Sequence, residues 1–201
     1  MPLNPQIFGT SILTAGTSVG LVGSDFSRLA NAIGDGVCKS LLVPGVLTST
    51  LVGVSGVGVI TGGPVIVVPL VLQADIGLAM TSFGIVGSAS QQLASAVALG
   101  VSQAMISATV VGTCPLVSTG GGTALMANYT PPFIFSLLTA SATMYGLAGS
   151  EVPRIMNALA TGISSNFLKV IKVPLVVAGP PIPPPPAGPL PSAGPGIVNF
   201  L

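Results

Sequence analysis

Histidine and tryptophan are absent from this sequence, and charge is nearly so: five Lys or Arg and four Asp or Glu in 201 residues. Charged side chains make up 4% of the chain, against about 25% in an average soluble domain. Each shortage excludes something. With no His, four scattered carboxylates and two cysteines, general acid–base catalysis, a zinc site and a Cys–His nucleophile all lack a residue set. The chain is therefore read as non-enzymatic, with no catalytic, cofactor-binding or metal-binding residue and no small-molecule substrate. A formal net charge of +1 supplies no basic surface to neutralise phosphates, which excludes nucleic acid as a partner. A globule this poor in charge is hard to keep soluble alone. Its surface is expected to face other protein or lipid.

Long apolar spans are also lacking. Half the residues are apolar and no charge falls between Asp75 and Glu151, a statistic typical of membrane proteins. Yet a spanning helix needs roughly 20 apolar residues, and the runs here are shorter and broken by Ser, Thr and Gly. The first residues, Met-Pro-Leu-Asn-Pro-Gln, carry no basic segment or cleavage pattern and are not read as a signal peptide. Cys38 and Cys114 allow one disulfide, but two buried small hydrophobes is the expectation.

What is present is a repeat. Thr17-Ser18-Val19-Gly20-Leu21-Val22-Gly23-Ser24 returns as Thr81-Ser82-Phe83-Gly84-Ile85-Val86-Gly87-Ser88 and, more loosely, as Thr143 to Ser150. The register continues through Asn31-Ala32, Ser95-Ala96 and Asn157-Ala158 and through Gly36, Gly100 and Gly162, with Pro5, Pro69 and Pro131 upstream. A unit of about 63 residues thus occurs three times in tandem. It predicts one domain over 1–178 (units of about 1–64, 65–127 and 128–178) and a Pro-rich polyproline II tail over 179–201.

Each unit reads as helix, second helix, strand. The apolar stretches Ile7 to Val19, Leu70 to Phe83 and Phe133 to Tyr145 follow a proline suited to a first helical turn. After Gly-x-x-Gly, Ser24, Ser88 and Ser150 stand as expected N-caps of the second helix. Asp25 with Arg28 and Glu151 with Arg154 are placed to pair on one helix face, while the middle unit has lost both partners, as Ala89 and Gln92. Phe26, Leu29, Ile33, Val37 and Leu41 form an apolar stripe opposite Arg28, Asn31, Asp35 and Lys39. A glycine inside all three second helices points to close helix packing. The β-branched runs Leu47 to Ile60, Ala108 to Val117 and Val170 to Val177 predict strands. The expected class is α+β with pseudo-threefold symmetry.

Weak motifs are set aside. Gly53-Val54-Ser55-Gly56-Val57-Gly58 lacks the context of a dinucleotide fingerprint, and Gly120-Gly121-Gly122 reads as a turn. Asn31, Ser95 and Asn157 share one position, either as a polar ring about the axis or, more simply, as helix-surface hydrogen bonders.

Three units closing on an axis would match a trimeric partner. That logic resembles small structural proteins at the tail tip or baseplate of tailed phages and contractile injection systems, without the metal-binding His and Cys of their sharp tip proteins. The resemblance implies a virion tail component buried against other structural proteins, among them a trimeric hub or spike, with membrane contact during ejection. The alternative is an integral membrane or pore-forming protein. A weaker third is an adaptor read by a proline-recognition domain through Pro183 to Pro186.

Overall fold

A computed structural model describes residues 4–42, 67–107 and 129–166 with their side chains, and the backbone alone of several linking segments. Six helices form the first set: α1 (Pro5–Ser18), α2 (Ser24–Leu42), α3 (Pro69–Ser82), α4 (Ser88–Ile106), α5 (Pro131–Met144) and α6 (Val152–Phe167). The three register prolines open α1, α3 and α5, where a missing N–H costs nothing. Asn4 caps α1 by accepting from the amides of Gln6 and Ile7.

Each helix packs on the one before and the one after, and α6 returns to α1, so the six close into a ring. Neighbours alternate in direction. Gly36 of α2 lies against Ile76 of α3 while Arg28, eight residues earlier, lies near Gly84, just past the end of α3. The same antiparallel pattern joins α6 to α1 through Gly162 with Ile12 and Arg154 with Gly20. All three turns within units therefore stand at one end of the ring. The core is the ring's interior: Phe8, Ile12, Ile33, Leu41, Leu72, Ile76, Met105, Ile134 and Leu138 are fully buried, among others.

The class corrects the expectation. Helix accounts for 81% of the residues described with side chains, and no sheet lies within them; the packed body is helical, not α+β. The physical reason is that each helix buries its apolar face on two neighbours, so the ring closes its own core without a sheet layer. The segments expected as the third element lie outside that body. Apart from buried Val67, the backbone alone is described for these segments and the strands paired with them: β1 (Leu47–Val54), β2 (Gly58–Gly62), β3 (Ile66–Val67), β4 (Thr109–Cys114), β5 (Thr119–Leu125), β6 (Ile171–Val177) and β7 (Pro191–Val198). Gly120-Gly121-Gly122, expected as a turn, lies inside β5, and part of the expected polyproline tail is β7. They are extended and pair antiparallel in the order β2-β4-β5-β6-β7-β1-β3, with β1 also pairing β2. Residues 178–190, including Pro183 to Pro186 and most of the expected polyproline tail, lie outside the described residues.

Candidate interaction surface at the turn end

The turns are built by backbone, and the sequence dictates how. Gly20, Gly84 and Gly146 follow the C-cap residues with φ of 78°, 74° and 73°, a left-handed conformation that costs glycine little. In the first unit the Gly20 amide donates to the Thr17 carbonyl (3.1 Å) and the Leu21 amide to the Gly16 carbonyl (2.8 Å), the paired bonds of a Schellman motif. Ile85 to Met80 (2.8 Å) and Leu147 to Ala142 (2.9 Å) repeat the longer bond. The second glycine of each turn, Gly23, Gly87 and Gly149, also has positive φ.

This corrects the expected serine caps. Ser24 and Ser88 are already the first residues of α2 and α4, and the α4 cap position is held by Gly87 with no side-chain bond. In the third unit α6 starts at Val152, two residues past Ser150. In the first two units the glycine with positive φ, Gly23 or Gly87, occupies the place a capping hydroxyl would take.

The expected ion pairs form. Arg28 reaches Asp25 at 2.6 Å and Arg154 reaches Glu151 at 2.7 Å. Arg154 does more than its sequence position suggested: its Nε and one terminal nitrogen both donate to the carbonyl of Val19, at 3.0 and 2.8 Å. A cation is thereby set on the C-terminal end of α1, where the helix dipole favours it, and the third unit is fastened to the first. Arg28 and Gln92 stand in the equivalent places beside Gly84 and Gly146, each 3.5–3.8 Å from where a Cβ would sit. The one available signal in the sequence was the repeated glycine opposite a repeated long polar side chain; nothing in it said that they meet across units.

The tips of the turns are apolar and open. Val22 is 76% exposed and Val86 74%, while the third unit has exposed Ala148 at that position and Met144, 76% exposed, ending α5. Around them the carboxylates face outward: the Asp25 side chain is 89% exposed. The middle unit contributes no charge here.

Asn31, Ser95 and Asn157 do not meet on the axis. Asn31 packs beside Gly9 of α1, Ser95 donates to the Gln91 carbonyl of its own helix at 2.9 Å, and Asn157 is exposed. Only Asn31 is seen at the seam within its unit, and Ser95 is buried rather than on the surface. Cys38 is a free, buried thiol, pushed up to about 12 by burial and then by the nearby Asp35 carboxylate; the Cys114 side chain lies outside those described. Buried Ser164 donates its hydroxyl to the Tyr129 carbonyl, tying α6 to the residue that leads into α5. A shallow groove of about 580 Å³ runs between α1 and α6 past Thr10, Ser11, Thr14, Ser18 and Thr161. Ser11, Thr14 and Ser18 donate to carbonyls of their own helix.

Among the described residues no group of His, Cys, Asp or Glu is placed to hold a metal ion, and no helix is long and apolar enough to cross a membrane. These features define a class by architecture: a three-unit helical ring in one chain, presenting one turn geometry three times at one end. Comparison with models of protein families, with curated proteins and with solved structures finds no match.

Proposed function

We propose that this chain is a non-enzymatic structural component of a large assembly, of the tail-tip or baseplate kind, seated on the axis of a trimeric partner. The observation that carries this reading is the closure of the ring by like contacts. Gly36 meets Ile76, Gly100 meets Leu138 and Gly162 meets Ile12, three glycine–aliphatic seams at equivalent positions. A chain that keeps three near-equivalent faces while carrying almost no charge is suited to being enclosed by threefold neighbours rather than to diffusing alone. The test is the copy number of this chain in its native particle. One copy on a threefold axis is expected. A stable, partner-free monomer, or six to twelve copies in a collar, overturns the reading.

A membrane-inserted form is the second reading, favoured by the exposed apolar stripe on α3, where Leu70 and Leu78 are 74% and 70% exposed. The first helices have 14 residues each and so reach only about 21 Å, short of a hydrocarbon core of about 30 Å. Release from membranes by a carbonate wash without detergent rules this form out.

A further inference from the structure

We infer that this chain seals the axis on which it stands, because its strands close into a narrow, filled stem below the helical ring. The inference rests on the axial placement proposed above and adds what the chain does there.

The strands leave the ring at the end opposite the turns, where α2, α4 and α6 finish. Each unit contributes one antiparallel hairpin: β1 with β2, β4 with β5, and β6 with β7. The hairpins then pair with one another, β2 with β4, β5 with β6, and β7 with β1. A circle of paired strands is a barrel. It closes on unit one, as the ring of helices does, so both elements share one pseudo-threefold axis.

Directly opposed residues of paired strands share a face. Leu51, Gly62, Val110, Ala124 and Ile171 are linked in this way. Leu175, Val198 and Leu47 carry the same face back to β1, so no strand has to turn over for the circle to close. Every glycine of these strands except Gly121 lies on that face, and no threonine does. Thr48, Thr61, Thr113 and Thr123 lie on the other face, with Lys172. Val67 identifies the glycine-bearing face as the inner one: it opposes Leu47, is 3% exposed and belongs to the core of the ring.

About eight strands give a barrel just wide enough for side chains to fill. Six leave less room, and glycine on the inner face lets them close without a lumen. Above the stem the ring is filled by fully buried Ile12, Ile33, Ile76, Val97, Leu138 and Leu159, one from each helix. The axis is thus occupied in both elements. Nor is the stem a membrane pore: its hairpin strands have 5–8 residues, against about 9–11 for a strand that crosses a bilayer. A partner whose axial opening holds this chain is closed to solutes there until the chain leaves or its strands part.

Cys114 opposes Gly58 on the inner face and is a natural probe of the interior. The native assembly is treated with a small, charged methanethiosulfonate, and the denatured assembly serves as reference. Cys114 is expected to stay unmodified until denaturation; modification in the native state reveals an open lumen or a reversed face and overturns the inference. Two further measurements do not depend on access for the reagent. Thr50→Cys with Pro195→Cys, directly opposed on β1 and β7, should form an intrachain disulfide on mild oxidation, and its failure to form denies closure. Gly122→Leu overfills the stem and should abolish that disulfide, whereas Gly121→Leu, on the outer face, should leave it intact. Equal behaviour of the two variants overturns the filled interior. A copy number other than one on a threefold axis overturns the sealing role together with the reading above, and is told apart because it leaves these three results unchanged.

Discussion

The seams between units and the seams within units are solved differently. Between units the solution is the same three times: a glycine of the second helix lies against an aliphatic residue of the next first helix, and the third seam closes on the first unit. Within units the bulk moves from one helix to the other. Unit one sets Gly16 against the Phe26 ring. The same two positions hold Met80 and Ser90 in unit two, and Ala142 and Val152 in unit three. Unit one alone also brings Gly34 onto the backbone of Gly9, where the others have Ala98 and Ala160 at the Gly34 position. The ring is closed by one packing geometry repeated at the three junctions between units. A hairpin inside one unit needs only a filled volume, however it is divided between its two helices.

Exchanging one unit's solution for another's breaks or sharpens this contrast. The largest effect is expected from Phe26→Ser, which empties a buried aromatic site at a cost of about 3 kcal/mol. Gly16→Met alone drives its side chain into the Phe26 ring, which already lies 1.9 Å from a Cβ placed there. The double variant, which copies unit two, should recover much of the loss, with a coupling of about 1–3 kcal/mol in denaturant titrations. Simple additivity of the two losses would remove the volume-exchange account.

Next come the glycines between units. Alanine at Gly36 or Gly162 puts a Cβ 2.5–2.8 Å from backbone atoms of Ile76 or Ile12, whereas at Gly100 the nearest atom, at 2.7 Å, is the end of the Leu138 side chain. Overpacking of this kind costs about 1–3 kcal/mol. Gly36→Ala and Gly162→Ala should therefore lower the melting temperature clearly more than Gly100→Ala does. Equal effects at all three would mean the seams yield alike.

Smaller again is Arg154→Gln, which copies Gln92. It removes two bonds to the Val19 carbonyl and an ion pair, for about 1 kcal/mol. Arg28→Gln, which loses an exposed pair with Asp25, should cost less. Urea midpoints of the two variants separate them. Cys38 gives a pH signature. Its folded thiol titrates near 12 against an ordinary value of 9.0, so its contribution is complete below pH 9. Stability should then fall as pH rises from about 9 towards 12. At neutral pH the thiol should resist alkylation until the chain unfolds, and prompt labelling of the native protein would contradict its burial. The smallest effect is expected at Ser24→Ala. With Ser24 inside the helix rather than at its cap, the roughly 1 kcal/mol of a lost cap should not be seen.

The helices were legible in the sequence because each signal for them is local. Pro5, Pro69 and Pro131 mark the starts, the Phe26 to Leu41 stripe marks a buried face, and Gly36, Gly100 and Gly162 announce close packing. Closure was not legible, since it depends on Gly162 meeting Ile12 and Arg154 meeting Val19 across more than 130 positions of sequence. The serine caps were misplaced for a stereochemical reason: positive φ at Gly23 and Gly87 puts glycine where the hydroxyl residue was expected. The α+β class failed because β-branched runs mark extended backbone without saying whether a sheet belongs to the packed core. Of the candidate surface, the turns were visible as Gly-x-x-Gly, but their gathering at one end follows only from the ring.

That ring is the central claim, and spin-label distances among positions 22, 86 and 148 test it most directly, with Cys38 and Cys114 replaced. A closed ring predicts three closely similar distances for the pairs 22–86, 86–148 and 148–22. A distance from 148 to 22 well beyond the other two would show an open row of three hairpins and contradict the account.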